Sequence, residues 1–288
     1  MKEQLSAELF GICFPCRVGL AAGTDRNAEH FYKASRRHYG FVEVGPLTAL
    51  QQPSIYRRSK IKATRHPNRG IKNAILNLQA HGERLHRSRP VVSIDLTYSN
   101  ACQDMDSVVR EFERSYSLVY DFADMFTIDS AVTDDNAHRP LQDASAISDI
   151  LDLLLDIRSA YGTYKPLIIK VAPDVPKEIL HQILDYSRLN AVDAVLIKYS
   201  SALGLGSVLE LLSHIREYTQ GRFPVCVDCG ILTADNISAA LDAGADLVEG
   251  RPRLLRRSSY IVRILSKRAK KAADAASPDN APEKPENA

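Results

Sequence analysis

No apolar run in the chain approaches the roughly 20 residues that a bilayer span needs, so no integral membrane segment is expected. The opening MKEQLSAELFGICF lacks the long apolar core and small-residue cleavage site of a secretory signal, which makes a cytoplasmic protein the expectation. Excess charge is missing too. The 37 Lys and Arg nearly cancel the 35 Asp and Glu, leaving +2. That is too little for a field that would draw in nucleic acid or a membrane surface. Only Lys267-Arg268-Ala269-Lys270-Lys271 is polarised; it ends the last helical pattern, where cations suit the negative end of the helix dipole. The eight histidines show neither HxH nor HExxH spacing, so no metal site built on histidine is expected. Five cysteines include two CxxC pairs, Cys13/Cys16 and Cys226/Cys229. Four such thiols can bind zinc when each pair lies on a tight turn. The second pair reads instead as part of a strand, where three steps span roughly 10 Å and end on opposite faces. Free thiols, buried or partly buried, are expected.

What is present fits one sizeable globular unit. At 288 residues, 45% apolar and 25% charged, the chain can bury a large core. Eight short β-type runs follow one another: Val18–Ala21, Phe41–Val44, Val91–Asp95, Met125–Ile128, Leu167–Val171, Ala194–Ile197, Val225–Asp228 and Leu247–Glu249. Helical periodicity marks Ala28–Tyr39, Met105–Asp121, Ala144–Tyr161, Lys177–Arg188, Val208–Tyr218 and Ala234–Ala243. Near-continuous apolar strands alternating with amphipathic helices predict a parallel sheet covered by helices. Eight repeats favour closure into a (β/α)8 TIM barrel over an open sheet. The expected organisation is a single barrel domain over residues 1–276 with an extended connection after strand 2, from Pro46 to Pro90. Residues 277–288, SPDNAPEKPENA, have no large apolar side chain and three prolines, which predicts a disordered tail.

Barrel sites lie where the strands end, and the polar residues there are dense. They are Glu43, Asp95, Asp129, Lys170, Lys198, Asp228 and Glu249, with Arg251 and Arg253 beyond. Two readings stand side by side: a ligand site, or a set of internal ion pairs, since buried charges need partners. Arg69-Gly70-Ile71-Lys72 with His66 reads as a basic surface loop or a phosphate-binding loop.

Three segments carry a resemblance. They are GLAAGTDRN at Gly19 to Asn27, FVEVG at Phe41 to Gly45, and LIIKVAPD at Leu167 to Asp174. Together they resemble the first, second and fifth strands of the dihydroorotate dehydrogenase family, a flavin-dependent β/α barrel, and the match runs over roughly residues 11–265. The chain is most similar to the quinone-type class without its N-terminal membrane helices. The resemblance implies FMN as cofactor, oxidation of dihydroorotate to orotate, and a place in pyrimidine biosynthesis. It implies cofactor contacts at Ala22, Gly23, Lys170, Lys198, Gly230, Arg251 and Arg253, and substrate contacts at Arg26, Asn73, Asp129 and Ser200.

The departures lie in the chemistry. After the fourth strand the chain reads Asp129-Ser130-Ala131-Val132, and the position of the family's catalytic base falls on Val132, which cannot accept a proton. No catalytic residue is therefore assigned. Asparagines of the family are matched by Asp95 and Asp129, its sixth-strand Thr-Asn-Thr by Lys198-Tyr199-Ser200, and its last phosphate loop by Arg251-Pro252-Arg253. An Asp129–Lys198 pair would fill space where a flavin usually lies, whereas Arg251 and Arg253 could hold a phosphate. Three functions remain open: a dehydrogenase-like barrel with impaired or lost catalysis, an active FMN enzyme with a rearranged site, and a repurposed barrel. The last would bind a phosphorylated small molecule or use Lys170 or Lys198 as a Schiff-base nucleophile. The expected partner is a small-molecule ligand rather than nucleic acid, and a homo-oligomer is compatible with the pattern.

Overall fold

The computed structural model describes residues 5–52, 67–82, 89–99, 101–102, 104–131, 143–252, 263–265 and 267. The tail at 277–288, its boundary with the barrel domain, Val132, Arg253 and His66 lie outside the described residues. The chain opens on a short antiparallel hairpin, β1 (Ala7–Leu9) and β2 (Ile12–Phe14). Then come β3 (Val18–Asp25), α1 (Lys33–Arg36), β4 (Phe41–Leu47), α2 (Ile71–Gly82) and β5 (Val91–Leu96). The second half runs α3 (Met105–Val119), β6 (Met125–Asp129), α4 (Ala144–Tyr161), β7 (Leu167–Val171), α5 (Lys177–Leu189) and β8 (Ala194–Ile197). It ends on α6 (Gly204–Tyr218), β9 (Val225–Ile231), α7 (Ala234–Asp242) and β10 (Leu247–Arg251). Strands β3 to β10 are parallel and form a closed barrel, sealed where Val248 pairs with Val18. This is the (β/α)8 barrel that the strand–helix alternation predicts.

Side-chain alternation sorts each strand into two faces. Val42, Ile94, Ile128, Ile169, Val195, Val227 and Val248 point outward into the main core beneath the helices. Phe41, Met125, Ile168, Leu196, Cys226 and Leu247 form a separate apolar cluster inside the barrel. Two residues further along, the inward positions turn ionic at Glu43, Lys170, Lys198, Asp228 and Glu249, and on β6 the change comes four residues beyond Met125, at Asp129. The barrel is therefore oily at its N-terminal end and charged at its C-terminal end. Phe14 of the hairpin plugs the oily end, edge-on to Phe41 with ring centroids 5.9 Å apart.

Most element limits follow the periodicity, and the exceptions have local causes. The helix predicted over Ala28–Tyr39 shrinks to α1. Ala28 (φ 59°) and His38 (φ 65°) leave the right-handed region, and the Asp25 carboxylate accepts the amides of Glu29 and His30. The hairpin and α2 escape the sequence pattern. β1 and β2 are three residues each, and α2 sits inside what reads as an irregular excursion. Helix α4 matches its predicted limits because both ends are marked: Asp143 accepts the Ser145 amide, and Gly162 turns left-handed at φ 66°. Cys226 lies inside the barrel and Cys229 on its helix side, as the strand reading requires, while Cys13 is exposed rather than buried. No helix among the described residues is long and apolar enough to cross a membrane.

Phe14→Ala is expected to lower the unfolding free energy by about 3–5 kcal/mol, since the plug leaves a cavity that the barrel cannot close. Urea denaturation followed by circular dichroism measures this, and a loss below about 1 kcal/mol would show that the hairpin does not seal the barrel.

Candidate functional site

The charged end of the barrel centres on Lys170, which β7 projects inward with only 3% of its side chain exposed. Its Nζ donates to Glu43 Oε2 at 2.8 Å and lies 3.1 Å from Asp95 Oδ2. The same Glu43 oxygen accepts the Ala22 amide at 3.1 Å, tying β3 and β4 to β7. A second pair joins Lys198 Nζ to Asp129 Oδ2 at 2.9 Å, with the Ala131 carbonyl at 3.4 Å. A third, looser one leaves Arg251 3.7 Å from Asp228, whose other oxygen accepts the Gly230 amide. Glu249, fully enclosed, completes the ring of carboxylates.

Five buried acids thus face one buried cation, Lys170, and two partly exposed ones, Lys198 and Arg251, and charge balance calls for protons. Burial pushes Asp95 well above the usual carboxylate range, against the pull of Lys170 and with help from Glu43. Burial also raises Glu249, reinforced by the neighbouring Glu43 carboxylate. Asp228 rises for the same first reason, while the Gly230 amide and Arg251 draw it back. Burial opposes the charge on Lys170, but Asp95 and Glu43 together outweigh it and hold the ammonium well above the ordinary lysine value. At the Lys170–Asp95 contact these tendencies conflict, because a charged Asp95 would hold the lysine proton. The Glu43 contact has hydrogen-bond geometry, whereas Asp95 Oδ2 makes no hydrogen bond. Lys170 therefore keeps its charge against Glu43, and Asp95 takes up the proton. A lysine whose ammonium is held this firmly is a poor Schiff-base nucleophile, which tells against that reading for Lys170.

The expected cofactor positions come together at this end but are engaged by the protein itself. Ala22 is bound to Glu43, Lys170 to Glu43, Lys198 to Asp129, and Arg251 leans toward Asp228. The Tyr199 ring covers Gly230 so closely that an added Cβ would lie 2.8 Å from it. Gly23, at φ +85°, faces open space. Substrate positions are scattered by comparison. Arg26 is exposed, and Asn73 lies on α2, where it accepts a long 3.4 Å bond from Asn77. Ser200 uses its carbonyl to receive the Leu203 and Gly204 amides at the start of α6. Tyr199 is the residue that sequence reasoning passed over; its place beside a glycine-bearing neighbouring strand was the only signal.

With this geometry in view, the chain is a (β/α)8 barrel with an ionic strand-end site, and it is similar to known proteins of one name. No family model matches it. It is 25% identical over 291 residues to dihydroorotate dehydrogenase (quinone) of Azoarcus sp. strain BH72, covering 90% of this chain and 84% of that protein. The same-named protein of Acinetobacter baumannii strain ATCC 17978 is 27% identical over 272 residues, covering 83% and 80%. Among solved structures, DHODH from Eimeria tenella in complex with ferulenol superposes with a TM-score of 0.77 at 19% identity, covering 95% of this chain and 89% of that one. Its ligand-free form gives 0.75 at 21%, covering 97% and 92%. Over most of its length the chain is similar to proteins named dihydroorotate dehydrogenase (quinone).

Two outcomes test the ionic cluster. Lys170→Met strands Glu43 without its partner and should cost about 3–5 kcal/mol of stability in urea denaturation. The second concerns pH. Folded Asp95 holds a proton that the unfolded chain has released, so its stabilising contribution is full below its usual value of 3.8 and is lost as pH rises through the folded value. Asp95→Asn should flatten the fall in stability with rising pH; an unchanged slope would mean that Asp95 is ionised in the fold.

Proposed function

We propose that this chain is a dihydroorotate dehydrogenase-like barrel protein, related to pyrimidine biosynthesis, in which FMN-dependent oxidation of dihydroorotate to orotate is impaired or lost. The observation that carries the reading is that Lys170, Lys198 and the Ala22 amide are each engaged by a carboxylate of the chain itself. Family chemistry needs a lysine free to stabilise negative charge on a reduced flavin, and Lys170 already spends its charge on Glu43 at 2.8 Å. It also needs backbone open to the cofactor, yet the Ala22 amide is taken by Glu43 and Gly230 lies under the Tyr199 ring.

As built, these residues do not fit a bound flavin mononucleotide. The Asp129 carboxylate, buried and paired with Lys198, stands where the resemblance implies contact with both ring and substrate. Paired in this way, the carboxylate and the Lys198 ammonium take up the space themselves, and separating them to admit a ring would leave a buried charge without its partner. Proton abstraction would have to come from the position of Val132, whose side chain offers no acceptor, and loss of a general base removes about 10²–10⁴-fold of rate.

One observation favours a second reading. Arg251 is half exposed and its 3.7 Å approach to Asp228 is loose, so its guanidinium stays available to a phosphate group. A phosphorylated small molecule at that rim is the alternative ligand.

Natively purified protein should be colourless, carry no flavin by mass spectrometry, and form no orotate from dihydroorotate when given FMN and a quinone. A yellow protein with stoichiometric FMN and measurable turnover would overturn the proposal. A colourless protein that retains a phosphorylated metabolite would favour the second reading.

A further inference from the structure

On the outer surface of the barrel, far in sequence from any recognised motif, α5 and α6 bring two histidines together. His181 Nε2 and His214 Nε2 lie 2.9 Å apart, and their rings are nearly parallel at 20°. The spacing of 33 residues hides the pair from any search for local histidine motifs. Neither ring is loose. Tyr218 stacks on His181 at 3.9 Å and 5°, and its hydroxyl donates to Asp185 Oδ2 at 2.8 Å, anchoring the stack across both helices. Both histidines are half-buried, so one side of the pair remains open to water.

Two imidazole nitrogens at this distance match a chelate. A first-row metal binds imidazole nitrogen at about 2.0–2.1 Å, and two such bonds set about 90° apart place the nitrogens about 2.9 Å from each other. That angle belongs to square-planar or octahedral ions, Cu²⁺ and Ni²⁺, rather than to tetrahedral Zn²⁺. The imidazoles must be neutral to bind. In the hydrogen-bonded pair one Nε2 carries the proton between them. On metal binding that ring moves its proton to Nδ1 and the rings turn so that both Nε2 lone pairs leave the N···N line, by about 45° each for a right-angled chelate, with no net proton change.

We propose that His181 and His214 form a two-imidazole site for a divalent copper- or nickel-class ion, its remaining positions filled by water. Among the described residues no cluster of three or more His, Cys, Asp or Glu could hold a metal, so the site stands on these two ligands alone. It is independent of the barrel mouth and of whatever binds there.

Tag-free full-length protein titrated calorimetrically with Ni²⁺ tests the site, beside His181→Gln and His214→Gln. The parent should bind one equivalent, and each variant should lose at least about tenfold in affinity, while Cys13→Ser, which removes the exposed thiol, should not. Variant melting curves without metal should stay close to the parent's. As a check that needs no variant, the parent with one equivalent of Cu²⁺ should show paramagnetic resonance coupling to two imidazole nitrogens. Unchanged Ni²⁺ affinity in both variants, no binding by the parent, or no two-nitrogen coupling would overturn the proposal and leave the pair as a shared-proton contact between helices.

Discussion

The bond from Lys170 to Glu43 is the constraint around which the barrel mouth is arranged. An ammonium placed 3% exposed inside a barrel must find a counter-charge. Glu43 supplies it through Oε2, which also accepts the Ala22 amide. Burial pushes Asp95 and Glu249 well above the usual carboxylate range, and the Glu43 carboxylate beside them adds to it. One contact thereby ties the backbone of β3 at Ala22 to β4 and β7.

This arrangement joins the fold to the functional reading. In a (β/α)8 barrel the inward positions at the strand ends form the reacting surface, and here the same period-two alternation that fills the lower barrel with Phe41, Ile168 and Leu196 delivers Glu43, Lys170 and Lys198 above them. Opposed ions at that level complete one another. Neutral amides there would present donors and acceptors to a ligand; ion pairs present them to each other. Similarity to dihydroorotate dehydrogenases over most of the chain and a mouth closed on its own charges are compatible, because the barrel depends on the outward face of each strand and the chemistry on the inward one.

Much of this was legible before the fold was known. Strand–helix alternation predicts the barrel, and the inward strand-end residues predict the charged rim, including the Asp129–Lys198 pair that forms at 2.9 Å. What stayed hidden depends on distance in sequence. Lys170 meets Glu43 across 127 positions, and nothing local distinguishes Glu43 from Asp129 as its partner. Tyr199 reads as one more altered motif residue until β8 and β9 are set side by side and its ring covers Gly230. The hairpin plug is missed because each strand has three residues, too few for any periodicity. The His181–His214 contact is invisible for the same reason as the Lys170 one, since it belongs to two helices rather than to a motif.

The central claim is that the mouth is closed by its own ions, and a crystal structure of the protein grown with excess FMN and orotate tests it most directly. The account predicts Lys170 Nζ bonded to Glu43, Lys198 to Asp129, and no flavin density between them. A flavin lying over Gly230, with Tyr199 swung aside and Lys170 turned from Glu43 to the ring, would contradict it.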